Sequence, residues 1–219
     1  SVIDAAENLL NVVAGSLRIE SLGKIRARGT TLRPGGLIAI TTTGDVRTDS
    51  ASVVDVTNGG DAGQVEINAG GSVQIDGRID AFGTNTEAAG GYVTIFAGGD
   101  ILVDGTLSVR NGSVAFSPGE INLDARGRVV LDGSINLDGG DGGSLAVLAG
   151  SGIEILTDIG ADGTGDAGSG GSIMLESGRG ILIAGRLFAR GSTGLIQSGG
   201  DGGAIALEAA FGDITVNAN

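Results

Sequence analysis

Three aspartates stand before glycine at a fixed spacing: Asp76-Gly77, Asp104-Gly105 and Asp132-Gly133, each 28 residues from the next. If the chain coils with that period, the three carboxylates fall in one column about 4.8 Å apart. Carboxylates that close can act as acid and nucleophile in a retaining glycosidase, or share a calcium ion. The same dipeptide is also a good tight turn, since aspartate and glycine both accept turn conformations. The column also lapses to Leu156 and Ala184 in the next two units. The turn is therefore the reading adopted, and no residue is assigned a catalytic, cofactor-binding or metal-binding role.

Two further groups of residues have chemical potential. The Gly/Asp loops GGDGG at 139–143, ADGTGDAGSGG at 161–171 and SGGDGG at 198–203 are similar to calcium-binding nonapeptide repeats. The strict nonapeptide does not recur in tandem, and GGDGGSLAV places its aspartate too early, so these read as acidic loops. A charged column follows the third apolar pair of each unit: Arg28, Phe82, Arg110, Asp138, Asp162 and Arg190. It predicts cross-unit pairs Arg110–Asp138 and Asp162–Arg190, each worth about 0–1 kcal/mol as exposed pairs and acting as register devices. Leu102 beside Val130 forms a small outward apolar patch. The aromatics Phe82, Tyr92, Phe96, Phe116, Phe188 and Phe211 line no single groove.

Composition removes much other chemistry. With no cysteine and no histidine, there is no thiol nucleophile, imidazole base, disulfide or Cys/His zinc site. Net charge is −13 and Lys24 is the only lysine, which argues against a nucleic-acid partner. No apolar run approaches the roughly 18 residues of a membrane span, and the opening SVIDAAENLLNVVAG lacks the basic n-region of a secretory signal.

What must position these residues is a repeat. First inward residues Leu10, Ile38, Val65, Val93, Ile121, Leu145, Ile173 and Ile205 are spaced by 28, 27, 28, 28, 24, 28 and 32. Within a unit, apolar residues alternate with polar ones in three short runs, as in Val65/Ile67, Val73/Ile75 and Ile79/Ala81. Period-2 alternation between glycine turns gives strands, and a fixed 28-residue period gives a solenoid. Glycine is 44 of 219 residues, about three times the usual share, and marks most corners. One glycine precedes each first strand (Gly36, Gly63, Gly91, Gly119, Gly143, Gly171, Gly203), where either positive φ or the lack of room for a Cβ demands it. An alanine follows each first strand at 69, 97, 125, 149 and 209, with Ser177 the exception. All length variation is expected after the third strand.

The fold expected is all-β: a single-domain right-handed parallel β-helix of about eight rungs of roughly 28 residues, three short strands per rung. Residues 1–13 are an N-terminal cap or imperfect first rung, 14–219 the repeats. Residues 41–57 break the pattern and predict a bulge.

The repeats GGDAGQVEINAGGSVQIDGRIDAFG and GGYVTIFAGGDILVDGTLSVRNG resemble the haemagglutinin-repeat shafts of filamentous-haemagglutinin-like bacterial exoproteins of two-partner secretion. The Asn-Pro-Asn motifs of their secretion domain are not in this sequence. The resemblance implies a non-enzymatic structural or adhesive rod segment at the bacterial surface or outside the cell. Its partners would be further copies stacked end to end, or host or neighbouring surface molecules, possibly glycans. A self-assembling filament subunit and a carbohydrate-active β-helix enzyme are the alternatives.

Overall fold

The structure, a computed structural model, describes residues 1–6, 8–30, 32–112, 118–193 and 199–217. Among them there is no helix, and the strands form three parallel sheets of eight strands each. The first sheet runs from Leu10–Ala14 to Ala204–Ala209, the second from Leu17–Ile19 to Ile214–Val216, and the third from Val2–Asp4 to Leu187–Phe188. Each strand pairs only with its copies in adjacent rungs, for example Val65 with Val93 and Val93 with Ile121. The chain is thus a β-solenoid with three strands per turn. Seven strand spacings make it roughly 34 Å long.

The inward columns are those the alternation predicts. Val65, Val93 and Ile121, then Val73, Ile101 and Val129, then Ile79 and Leu107 are completely buried in one continuous core. Branched aliphatics suit this interior because each packs flat against its copy above and below. Outermost rungs lack one neighbour and are exposed: Ile205, Ile214 and Val216 at one end, Val2, Ile3 and Leu9 at the other. Residues 1–13 carry the strand Val2–Asp4, paired with Lys24–Arg26, and the start of Leu10–Ala14.

Two expectations are corrected. Residues 41–57 form an ordinary rung, with strands Leu37–Thr42, Val46–Thr48 and Val53–Asp55 in register with the next. The break was chemical: Thr42 and Thr48 fill the columns of Ala69 and Ile75. Thr42 bonds its hydroxyl to Gly44 O at 2.8 Å, and the Thr48 hydroxyl accepts from Gly77 N at 3.0 Å, so both bury without an orphan group. Length variation is also not confined to one corner. The second-to-third turn spans 49–52 in this rung but only 76–77 in the next.

The glycine column before the first strand has one cause. No described glycine has positive φ, so conformation does not require it. Space does: a Cβ on Gly143 would stand 2.7 Å from Gly119 O, and those on Gly171 and Gly203 would overlap the carbonyl oxygens of Gly143 and Gly171.

Candidate functional site

Strand alternation turns every second residue of the third sheet outward. One outward column reads Arg26, Asp55, Asp80, Ser108, Asn136 across successive rungs. Outward positions on a coil are ordinarily solvated, yet Asp55 is 1% exposed and Asp80 6%. The next outward column, Arg28, Thr57, Phe82 and Arg110, encloses them. Arg28 donates to Asp55 Oδ2 from Nε at 2.6 Å and also from Nη2. Thr57 donates to Asp55 Oδ1 from Oγ1 at 2.7 Å and from its backbone N at 3.0 Å. Arg78 holds both oxygens of Asp80, at 3.0 and 2.9 Å. Arg26 comes no nearer to Asp55 than 3.9 Å from Nε, a buried atom with no hydrogen-bond acceptor.

These residues line two adjoining hollows. One, of about 580 Å³, is bounded by Lys24, Arg26, Arg28, Arg78, Asp55 and Asp80; the other, of about 760 Å³, lies over Asn85, Arg110, Asn136 and Asp138. Phe82 and Thr84 belong to both, so Phe82 is the ridge of one longer groove. The Arg110 guanidinium sits 4.9 Å from the centre of its ring, a cation–π distance.

The neighbouring carboxylates are driven apart in acidity. Burial works to raise the pKa of Asp55, but hydrogen bonds from Arg28 and Thr57 outweigh it and hold the group below its ordinary value. Burial likewise raises Asp80, and here Arg78 only partly offsets it, with Asp55 adding repulsion, so Asp80 titrates above its ordinary 3.8. Between that value and its raised one, folded Asp80 keeps a proton the unfolded chain has lost, so stability falls as pH rises through the window. Asp55 acts oppositely: its contribution is present above the ordinary value and is lost as pH falls through its depressed one. Asp80→Asn removes only the first effect. We expect its melting temperature, relative to wild type, to be higher at about pH 7 than at about pH 3, as read by thermal denaturation at both pH values; a difference independent of pH contradicts the assignment.

The residues singled out from sequence lie elsewhere or act otherwise. Asp76 is half-buried and accepts from Gln74 Nε2 at 2.9 Å, while Asp104 and Asp132 are exposed on their turns. Among the described residues, no three carboxylates are placed to hold a metal ion. The dipeptide recurs because a Cβ on Gly105 or Gly133 would overlap the carbonyl oxygen of Gly77 or Gly105 below. Asp162–Arg190 forms as expected, at 2.6 Å. Arg110–Asp138 does not, since Arg110 turns onto Phe82 and Asp138 accepts from Asp162 N at 3.0 Å. Leu102 and Val130 are adjacent but only partly exposed. Phe188 lies between Arg186 and Arg190, at 5.2 and 4.5 Å. Tyr92 and Phe96 lie on the first sheet, and Phe116 falls outside the described residues; part of the 192–202 loop, residues 194–198, does so too.

Many aspartates have a common structural task. Asp45, Asp61, Asp100, Asp138, Asp141, Asp158 and Asp162 each accept a hydrogen bond from a backbone N–H 24–28 residues downstream, at 2.7–3.0 Å. These N–H groups sit at corners where ladder pairing lapses, and a carboxylate is the strong acceptor for them. This accounts for two of the loop aspartates, Asp141 and Asp162, without a cation.

Fold and surface together define a three-sheet parallel β-solenoid with a mixed-charge groove on the outside of one sheet. Comparison with protein-family models, with curated proteins and with solved structures found none that matches.

Proposed function

We propose that the chain is a non-enzymatic structural or adhesive rod segment of a bacterial extracellular or cell-surface protein, of the filamentous-haemagglutinin type. The observation that carries this is the unbroken pairing of eight strands in each of three sheets. Such a coil is stiff along its axis and lengthens without a change of design, while its outer faces stay free to bind. Electron microscopy of the full-length gene product tests the reading: an extended rod is expected, and a compact globule overturns it.

A second reading is a subunit that stacks head to tail, since each of the three sheets extends by the same parallel pairing at every rung. Open strand edges recruit further strands. Light scattering separates the two, because a stacking subunit grows in mass with concentration and a rod segment stays monodisperse. The alternative of a carbohydrate-active enzyme built on Asp76, Asp104 and Asp132 has little geometric support, since two of the three are exposed turn residues.

A further inference from the structure

We propose that the groove on the outside of the third sheet, centred on Phe82 and running from Lys24 to Arg110, binds a carboxylate-bearing sugar of a glycan. The inference rests on the adhesive-rod reading and gives the rod a ligand class.

Charge is the first argument. The chain carries −13 overall, yet the first hollow is lined by four cations (Lys24, Arg26, Arg28, Arg78) and two carboxylates (Asp55, Asp80), a net +2. An island of opposite sign on an acidic rod directs a small anion to one place.

Donor capacity is the second. Asp55 is taken up by Arg28 and Thr57, and Asp80 by Arg78. Arg26 stands off Asp55 at 3.9 Å, and Arg110 is held by a ring face rather than a carboxylate. The groove therefore has more guanidinium donors than acceptors to occupy them. A guanidinium fork matches a carboxylate in two parallel hydrogen bonds.

Shape is the third. Phe82 is half-buried on the ridge shared by the two hollows, flanked by polar groups from Thr84, Asn85 and Asn136. A partly exposed ring beside hydroxyl, amide and guanidinium groups suits a sugar, which offers an apolar C–H face and a rim of hydroxyls. One carboxylate per ring also fits the charge balance better than the denser charge of a sulfated sugar, which the surrounding negative charge repels more strongly.

The test is a calorimetric or NMR titration of the wild-type chain with trigalacturonate at low ionic strength. Neutral maltotriose and a sulfated heparin trisaccharide are the comparison ligands. We expect trigalacturonate to bind and maltotriose not to. Phe82→Ala and Arg110→Gln should each weaken binding about tenfold or more, while Arg126→Gln, on a turn away from the groove, should leave it unchanged. Arg110 is exposed, so its variant keeps the fold even if Phe82→Ala does not. No binding by wild type, equal binding of maltotriose, preference for the sulfated ligand, or undiminished binding by Arg110→Gln would each overturn the proposal. Microscopy decides the rod reading separately, so a rod that binds no acidic sugar remains a rod.

Discussion

Gly171→Ala should destabilise the coil by about 3 kcal/mol or more, at or beyond the upper end of what overpacking usually costs. The added methyl would overlap Gly143 O and crowd the Gly142 carbonyl group. Both are backbone atoms, so no rotamer change relieves the clash; the rungs must separate, and the ladder from Ser144–Ala149 to Ser172–Ser177 must stretch. The matched control is Gly15→Ala. Nothing lies within 4 Å of its added Cβ, and its φ is not positive, so the change should stay within about 1 kcal/mol and reduces unfolded-chain entropy. Urea denaturation of both variants decides the matter: equal loss would mean that column position, not contact, sets the cost.

Ile121→Ala should cost about 2–5 kcal/mol, while Ile205→Ala should cost less than about 1 kcal/mol. The two residues belong to one inward column. Ile121 is fully buried between Val93 and Leu145, and truncation leaves a cavity that the stacked neighbours cannot collapse into. Ile205 is 44% exposed and has a neighbour on one side only. Denaturation midpoints read the contrast directly. A similar cost at both positions would show that the terminal rung is as well ordered as the centre, contrary to nearest-neighbour stability in a solenoid.

The architecture was legible because two simple periods coincide. Alternation assigns Val65, Ile67, Val73 and Ile75 to the inside, and the 28-residue repeat places each beside its copy. The glycine column left two readings open, and the structure selects the steric one. The rung at 37–55 was obscured by Thr42 and Thr48, whose hydroxyls are satisfied by contacts no pattern displays. That gap also hid Asp55. With the rung restored, Arg26, Asp55 and Asp80 line up as charged residues in three successive outward positions, a signal available in the sequence. Their burial was not available, because it depends on where Arg28, Thr57 and Phe82 lie, and alternation alone assigns all of them to solvent. The Arg110–Asp138 pairing failed for a related reason: column position puts charges within reach, but the competing Phe82 ring is found only in three dimensions.

The aspartates at the corners have one further consequence. In all seven cases the carboxylate belongs to the earlier rung and the N–H to the later one. At these corners a completed rung presents carboxylate acceptors to the segment that comes next, while elsewhere its own N–H groups need that segment's carbonyls, as Ala27 N does Asp55 O at 3.0 Å and Val73 N does Asp100 O at 2.9 Å. The corner bonds thus give the coil a chemical polarity along its axis, with carboxylate acceptors facing the C-terminal side of each turn.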